Sequence, residues 1–552
     1  MPTFSLNDDA VILRYYSTLG ATLAPMRHVL LFALLLFAQA LSAQTPKADI
    51  LIRNGRLYDG TGNTWTLGDV AIRAGRIAAV GRLPADYPAD TVLDAKGLAV
   101  APGFIDVHTH IEDDEVHQPT ADNFIYDGVT TVVTGNCGSS RLPLGGYFKV
   151  LDSLRLSVNV ASLVGHGTVR KAVMGRAQRT PTETELLRME SLVDSAMRAG
   201  AVGLSSGLIY IPGTYARTPE LVRLARVAGR HQGLYATHMR NESDSVTYAI
   251  REALRVGREG GLPVQISHLK LGGQQNWGRT ADLLNLIESA RQAGQQVTID
   301  QYPYTASSTS LSTLIPEDVQ ADGRDSLQAR LARPAVRKAV EASMVARLRR
   351  RKLKHFSYAV VASFPPDTSY NGRSIEEINR MRDRRHKARV EAATILDLVL
   401  QHDAGMVFHG MSETDVQNIM RYPQNMVASD ASIRVWQEGV PHPRGYGSNA
   451  RVLGHYVREK RVLTLEEAIR RMTSLPAQTF GFTDRGLLRP GFVADIVVFD
   501  PATVADRSTF EKPHQYSVGM QYVLVNGRLT LRDGRHTGTR WGQILYGPGR
   551  QL

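Results

Sequence analysis

Eight short apolar runs punctuate the middle of the chain: Gly103 to His110, Thr130 to Gly135, Val158 to Gly165, Ala201 to Ser205, Gly233 to His238, Pro263 to His268, Gln296 to Gln301 and Asn425 to Asp430. Helical stretches such as Thr182 to Ala199 and Pro219 to His231 separate them. Strands that alternate with helices specify a parallel sheet, because joining two parallel strands needs a crossover long enough to contain a helix. Eight such units predict an α/β fold, a (β/α)8 barrel of the TIM type. The interval before the last run is too long for one crossover. Residues 305 to 400 are therefore expected to form an insertion with the character of a lid.

The two flanks differ from this middle. From Ala48 to about Val100 short alternating segments are broken by turns, as in Asp49-Ile50-Leu51-Ile52-Arg53 before Asn54-Gly55 and Asp69-Val70-Ala71-Ile72 before Ala74-Gly75. This is a hairpin pattern. Segments of the same character return in Ala494 to Asp500 and Tyr522 to Leu531. The matching ends predict one small β-sandwich built from residues 44–100 and 481–552, interrupted by a barrel domain at 101–480.

Composition sets limits. With 43% AVILMFWYC, 21% DEKR, 48 Gly, 25 Pro and one Cys in 552 residues, collagen-like, low-complexity, disulfide-scaffold and wholly disordered chains are excluded. The net charge of +12 is concentrated. Residues 321 to 360 hold eleven Lys and Arg, including the run Arg349-Arg350-Arg351-Lys352, against Asp322, Asp325 and Glu341. No aromatic interleaves with that run until Phe356, which argues against a nucleic-acid stacking platform and for a solvated helical face.

At the amino terminus, Met26-Arg27-His28 precedes the apolar run Val29 to Ala38, and Gln39 to Ala43 ends on a small residue. That is a signal-peptide pattern, and the run is shorter than the ~20 residues of a membrane-spanning helix. The expectation is a true start at Met26, an overhang at 1–25, cleavage after Ala43 and export to the periplasm or the medium. An exported chain with one thiol has no internal partner for it, so Cys137 is inert and buried, paired between chains, or bound to a ligand. Its place in Gly135-Asn136-Cys137-Gly138 favours a ligand, since glycine lets the backbone turn closely around one.

In a barrel, chemistry sits at the carboxyl ends of the strands. His108 and His110 end the first run, and positions i and i+2 of a strand face the same side. Cys137 follows the second, His166 the third, His238 the fifth, His268 the sixth and Asp430 the eighth. Imidazole and thiolate are zinc ligands, and a catalytic zinc site keeps one position open for water. Each residue alone has an ordinary explanation as core packing; recurrence at equivalent strand ends points to a metal.

At this point the chain resembles a known family. Pro102-Gly103-Phe104-Ile105-Asp106-Val107-His108-Thr109-His110, Arg489 to Val497 and Asp430 are similar to the amidohydrolase superfamily. Gly135-Asn136-Cys137-Gly138, Gly203 to Tyr210, Thr237 to Glu242, Ser267-His268-Leu269-Lys270 and His442-Pro443-Arg444 resemble its D-aminoacylase (N-acyl-D-amino-acid deacylase) members. The resemblance implies that Cys137 replaces the carboxylated lysine used elsewhere in the superfamily, and Gly203 to Leu208 contains no lysine. It further implies a tight zinc on Cys137, His238 and His268, and a weaker second position formed by His108 and His110 with Cys137 and Asp430 nearby. Tyr210, Lys270 and Arg444 correspond to residues that bind the substrate α-carboxylate. Two departures bear on substrate preference: Asp430 is followed by Ala431-Ser432 where the family has Gly, and Ile111 separates His110 from Glu112.

The implied reaction is hydrolysis of an N-acyl-D-amino acid to a carboxylate and a free D-amino acid, with hydroxide generated at zinc as nucleophile and Asp430 as general acid and base. The preference for D substrates comes from the resemblance alone. Two other readings stay open at this stage. One is cyclic-amide or dipeptide hydrolysis in the same superfamily; the other is an inactive barrel whose basic insertion binds an anionic polymer.

Overall fold

The computed structural model describes residues 47–112 and 114–551. The expected signal peptide, residues 26 to 43, lies outside them. Among the described residues no helix is long and apolar enough to cross a membrane.

All eight expected barrel strands are present: β1 (Phe104–Asp106), β2 (Val129–Thr134), β3 (Asn159–Ser162, continued by Val164–Gly165), β4 (Gly203–Gly207), β5 (Leu234–His238), β6 (Val264–Ile266), β7 (Val297–Gln301) and β8 (Asn425–Val427). They pair in parallel in chain order, as one arc of β1 to β3 and a second arc that runs from Val164–Gly165 to β8. The arcs meet where β3 passes through Leu163. At the other seam Thr109 bridges Ala431, Asp430 N donates to His108 O at 2.9 Å, and His110 N donates to Ala431 O at 2.9 Å. Strands β6 and β8 stop short of the expected His268 and Asp430, which leaves His268 on a turn and Asp430 in the loop after β8.

The crossover helices follow from local rules. Helix Glu183–Ala199 starts at a capping box in which Thr182 Oγ1 accepts from Glu185 N (3.3 Å) and Glu185 Oε2 accepts from Thr182 N (2.8 Å). It stops at Gly200, whose φ of 110° suits glycine. Its buried residues Met189, Val193, Ala196 and Met197 form one stripe at helical spacing, turned to the barrel wall.

The two ends of the chain share one nine-stranded sheet. Ala99–Pro102 pairs antiparallel with Ile496–Phe499, and residues from both ends, such as Ile52, Val70, Val100, Ile496 and Leu524, bury a common core. The expected two-layer sandwich is thus hydrogen-bonded as a single sheet. The first strand, Ala48–Leu57, forks at the irregularity between Ile52 and Gly55: its first half pairs with Ala89–Asp94 and its second half with Ala99–Pro102.

The insertion has its own core of Leu348, Phe356, Val361, Phe364, Ile395 and Met406. Its sheet places Gly405–His409 between Ala306–Ser310 and Ala359–Ser363, all antiparallel. The insertion therefore continues to His409, past the expected end near 400, because the strand that completes its sheet comes last in sequence.

Candidate metal and amide-binding site

Side chains from five strand ends converge at the carboxyl rim of the barrel. Cys137 Sγ lies 3.3 Å from His108 Nε2, 3.6 Å from His238 Nδ1 and 3.6 Å from His268 Nε2. On the other side, His110 Nε2 is 3.2 Å and His108 Nε2 3.5 Å from Asp430 Oδ1. These atoms form overlapping groups: His108, His110 and Cys137; Cys137, His238 and His268; and His108, His268 and Asp430, each within 4.8 Å.

The distances test whether zinc fits. A tetrahedral zinc with Zn–S of about 2.3 Å and Zn–N of about 2.0–2.1 Å keeps sulfur and nitrogen about 3.5 Å apart. The two 3.6 Å separations from Cys137 to His238 and His268 match that edge. The residues present therefore fit zinc, with Cys137, His238 and His268 as one set of donors and His108 and His110 beside the same sulfur.

Carboxylates that sequence reasoning gave no role set the ring orientations. Glu242 Oε1 is 2.9 Å from His268 Nδ1 and accepts from Lys270 Nζ at 2.6 Å, while Oε2 is 3.6 Å from His238 Nε2. Fully buried Asp300, in β7, faces His108 Nδ1 at 3.5 Å and accepts from His268 N at 2.8 Å. His268 and His108, faced in this way, turn their other nitrogen toward the sulfur, the arrangement that fixes a metal-binding tautomer, whereas His238 Nε2 has no hydrogen-bond partner among the described residues and has Glu242 only as a nearby charge. In the sequence Asp300 shows only as a carboxylate within the expected strand Gln296 to Gln301.

Burial and charge oppose each other here. Burial pushes the Cys137 thiol up, yet His108 beside it, with His110 and His238, holds it well below the usual thiol range. Burial works against a cationic His108, but the charges of Cys137, Asp300 and Asp430 raise it well above an ordinary histidine. Burial likewise raises Asp430, and the Arg444 guanidinium followed by His108 outweighs it, leaving the carboxyl well below its ordinary range. A thiolate with three carboxylates around it is an environment that attracts positive charge.

Two of the groups singled out for substrate binding flank Tyr302. Arg444 lies 4.6 Å and Lys270 5.5 Å from the centre of that ring. Tyr210 accepts from Thr309 Oγ1 at 3.0 Å, and its ring is 5.0 Å from that of His238. Arg444 is buried with Nη1 2.8 Å from Asp430 Oδ2 and Nη2 donating to Ser308 O at 3.4 Å, and its Nε has no hydrogen-bond acceptor among the described residues. Its backbone N–H donates to His442 Nδ1 at 3.0 Å, so His442 seats the residue. Tyr210, His238, His268, Lys270, Tyr302 and Asp430 all line a cavity of about 760 Å³ that extends beneath the insertion. His166 is not part of this group; it is buried against Glu220, 2.9 Å away, which also binds Arg170.

Residues 91–531 match the amidohydrolase family. A D-aminoacylase of Alcaligenes xylosoxydans xylosoxydans is 37% identical over 520 residues, 90% of this chain and 97% of that protein. Among solved structures, the N-acyl-D-glutamate deacylase of Bordetella bronchiseptica, complexed with zinc and a phosphonate mimic of the tetrahedral intermediate, gives a TM-score of 0.77 at 38% identity, covering 91% of this chain and 100% of that one. A D-aminoacylase described by one-metal activation and second-metal attenuation of a binuclear centre gives 0.77 at 36% identity, covering 90% and 100%. The chain belongs to the amidohydrolase family, in the group that contains the D-aminoacylases.

Proposed function

We propose that the protein is a zinc-dependent amidohydrolase that cleaves N-acyl-D-amino acids to a carboxylate and a free D-amino acid. The observation that carries this reading is Cys137 Sγ set at a zinc-site distance from His238 and His268, with a buried carboxylate and a buried guanidinium beside it. The deacylase activities named for the relatives, and the zinc and intermediate mimic in one of them, support it.

Cys137, His238 and His268 would hold the tight zinc, with His108 and His110 at a weaker second position. Zinc bound there polarises the scissile carbonyl and lowers the pKa of water from about 15.7 toward about 7. Asp430, 3.2 Å from His110, would accept the proton of the attacking water and return it to the departing nitrogen. Lys270 and Tyr210 line the cavity, and Arg444 keeps its Nε without an acceptor beside its pair with Asp430, so the trio suits a substrate α-carboxylate. Hydantoin and dihydropyrimidine rings without a carboxylate substituent would leave those donors unused.

Elemental analysis of purified protein, coupled to amino-acid release from N-acetyl-D- and N-acetyl-L-amino acids, tests the reading. Zinc with release from the D series is the expected result. Zinc-loaded protein that opens hydantoins but releases no amino acid would reject it. Export to the periplasm or the medium belongs to the same proposal and is supported by the pattern of residues 26 to 43; an intracellular chain that keeps those residues would contradict it.

A further inference from the structure

His442 stands between two parts of the chain that lie far apart in sequence. Its ring is fully buried, edge-on to Tyr302, Tyr304 and Phe510 with centres 6.0, 5.3 and 5.1 Å away. Both nitrogens are used: Nε2–H donates to Ala306 O at 2.9 Å, and Nδ1 accepts from Arg444 N at 3.0 Å. That pattern requires the neutral ring with its proton on Nε2, since a proton on Nδ1 would face the N–H of Arg444. Burial, then the charge of Arg444, hold His442 well below the ordinary histidine range, so the neutral form persists.

Ala306 opens the first strand of the insertion, Ala306–Ser310, which is paired on one side only, with Gly405–His409. Leu311 N, next in register, donates to Ala404 O at 2.8 Å, so by antiparallel alternation Ser307 and Thr309 bond inward while Ala306, Ser308 and Ser310 turn their carbonyls outward. All three outward carbonyls are taken. His442 holds that of Ala306, Arg444 Nη2 that of Ser308 at 3.4 Å, and Thr313 Oγ1 that of Ser310 at 2.7 Å. The loop after β8 therefore covers this sheet edge at two of its three places. Thr309 Oγ1 meanwhile donates to Tyr210 at 3.0 Å. One five-residue strand thus touches Arg444 and Tyr210, two of the three groups assigned to the α-carboxylate. A buried imidazole needs an acceptor and a donor; here the acceptor belongs to the insertion and the donor to the arginine that pairs with Asp430.

We propose that His442 is a positioning residue that couples Arg444 to the insertion, so that the strand Ala306–Ser310 fixes where the substrate α-carboxylate is held. The inference rests on the deacylase reading above and names a determinant of KM within it.

The test uses the zinc-loaded full chain with N-acetyl-D-leucine and N-acetyl-D-leucinamide, which differ in the α-carboxylate. Two substitutions separate the two bonds of the ring. His442→Asn keeps an acceptor near the place of Nδ1, where it seats Arg444, but is too short to reach Ala306; His442→Gln keeps an N–H for Ala306 and gives up the Nδ1 position. Each is expected to raise KM for N-acetyl-D-leucine about tenfold with kcat within about threefold, to leave zinc content unchanged, and to shrink the kcat/KM advantage of the acid over the amide by about the same factor. In an Arg444→Met background His442→Asn is expected to cost less than about twofold, because a residue that acts through Arg444 then has nothing to position. His442→Asn with the KM and the acid-to-amide ratio of the wild type overturns the proposal, since Arg444 is then seated without the insertion. A loss in the Arg444→Met background as large as in the wild type overturns it too, as does equal kcat/KM for acid and amide in the wild type. If His442→Asn gives no folded protein by its Tm, the same ratio and the same double-mutant comparison are read with His442→Gln, and wild-type values or an additive loss there overturn it equally. Release from N-acetyl-D-leucine with a ratio that both substitutions leave unchanged overturns this inference alone; no release by the wild type overturns the deacylase reading and this inference with it.

Discussion

Glu242 offers the sharpest test of the site, because it touches both histidines assigned to the tight zinc without being a ligand itself. Its Oε1 is 2.9 Å from His268 Nδ1 and 2.6 Å from Lys270 Nζ, and its Oε2 is 3.6 Å from His238 Nε2. Glu242→Gln keeps the shape and one acceptor but removes the charge, so buried Lys270, 2.9 Å from His268 Nδ1, loses its counter-ion. A unit charge about 4 Å away is worth about 4 kcal/mol at an effective dielectric of ~20. That figure is an upper bound, since Lys270 and Glu242 lie together and their fields largely cancel at the metal. The expected loss is the one usual for a carboxylate behind a metal-binding histidine, about 10- to 100-fold in affinity, or about 1.4–2.7 kcal/mol. Competition with a chromophoric chelator measures it, and the Tm of the metal-stripped protein checks that the fold persists. Glu242→Gln combined with Lys270→Met should recover part of the loss by removing the uncompensated cation. Zinc affinity within about twofold of wild type in Glu242→Gln would refute the assignment of His238 and His268 as an oriented pair.

Three further outcomes follow from the same geometry. Cys137→Ser should lose zinc by elemental analysis, because a hydroxyl is a poor zinc ligand at neutral pH; full zinc content would remove Cys137 from the ligand set. Asp430→Asn should keep zinc while kcat falls by about 10²- to 10⁴-fold, the usual worth of a general acid–base, and near-normal kcat would remove that role. Arg444→Met should change the pH profile. Arg444 is the strongest of the influences that lower the Asp430 pKa, so its loss raises that pKa, and a base that must be deprotonated then works only at higher pH. The acidic limb of kcat/KM should move to higher pH while KM for N-acyl amino acids rises; a limb that stays in place or moves to lower pH would contradict the pairing.

The barrel was legible because most of its strands are short local runs separated by helical crossovers, some with their own start and stop signals such as Thr182 and Gly200. Residues in the deepest part of the site were legible for the same reason, since His238 lies within β5 and Cys137 just past β2. Pairings between distant segments were not. Gly405–His409 reads as a strand of the barrel or of nothing until Ala306–Ser310 is placed beside it, and that register spans about a hundred residues. The partnership of Arg444 with Asp430 was equally hidden: a cation near a family carboxylate-binding motif suggests a substrate, and only the folded loops show that Asp430 pairs with it. Glu242 lay inside a quoted motif, yet a single carboxylate carries no local sign of which imidazole it backs.

The backbone around the site explains why the ligands could be listed from strand ends but not positioned from strand alternation. Cys137, His268 and Asp430 have φ of 52°, 34° and 52°, left-handed values that cost a residue with a Cβ about 1–3 kcal/mol and persist where the surroundings overdetermine them. Each is pinned from a neighbouring strand. His268 N donates to Asp300 Oδ1 at 2.8 Å, and Asp430 N donates to His108 O at 2.9 Å. Cys137 lies between glycines packed against adjacent strands: a Cβ on Gly135 would meet Leu163 O at 2.2 Å, and one on Gly138 would meet Gly207 N at 2.7 Å. The alternation rule ends where β2, β6 and β8 end, and from there the contacts of the barrel rim aim the side chains. An alanine at Gly135 or Gly138 would therefore displace the thiol as effectively as replacing a ligand, although neither glycine carries a donor atom to the metal site.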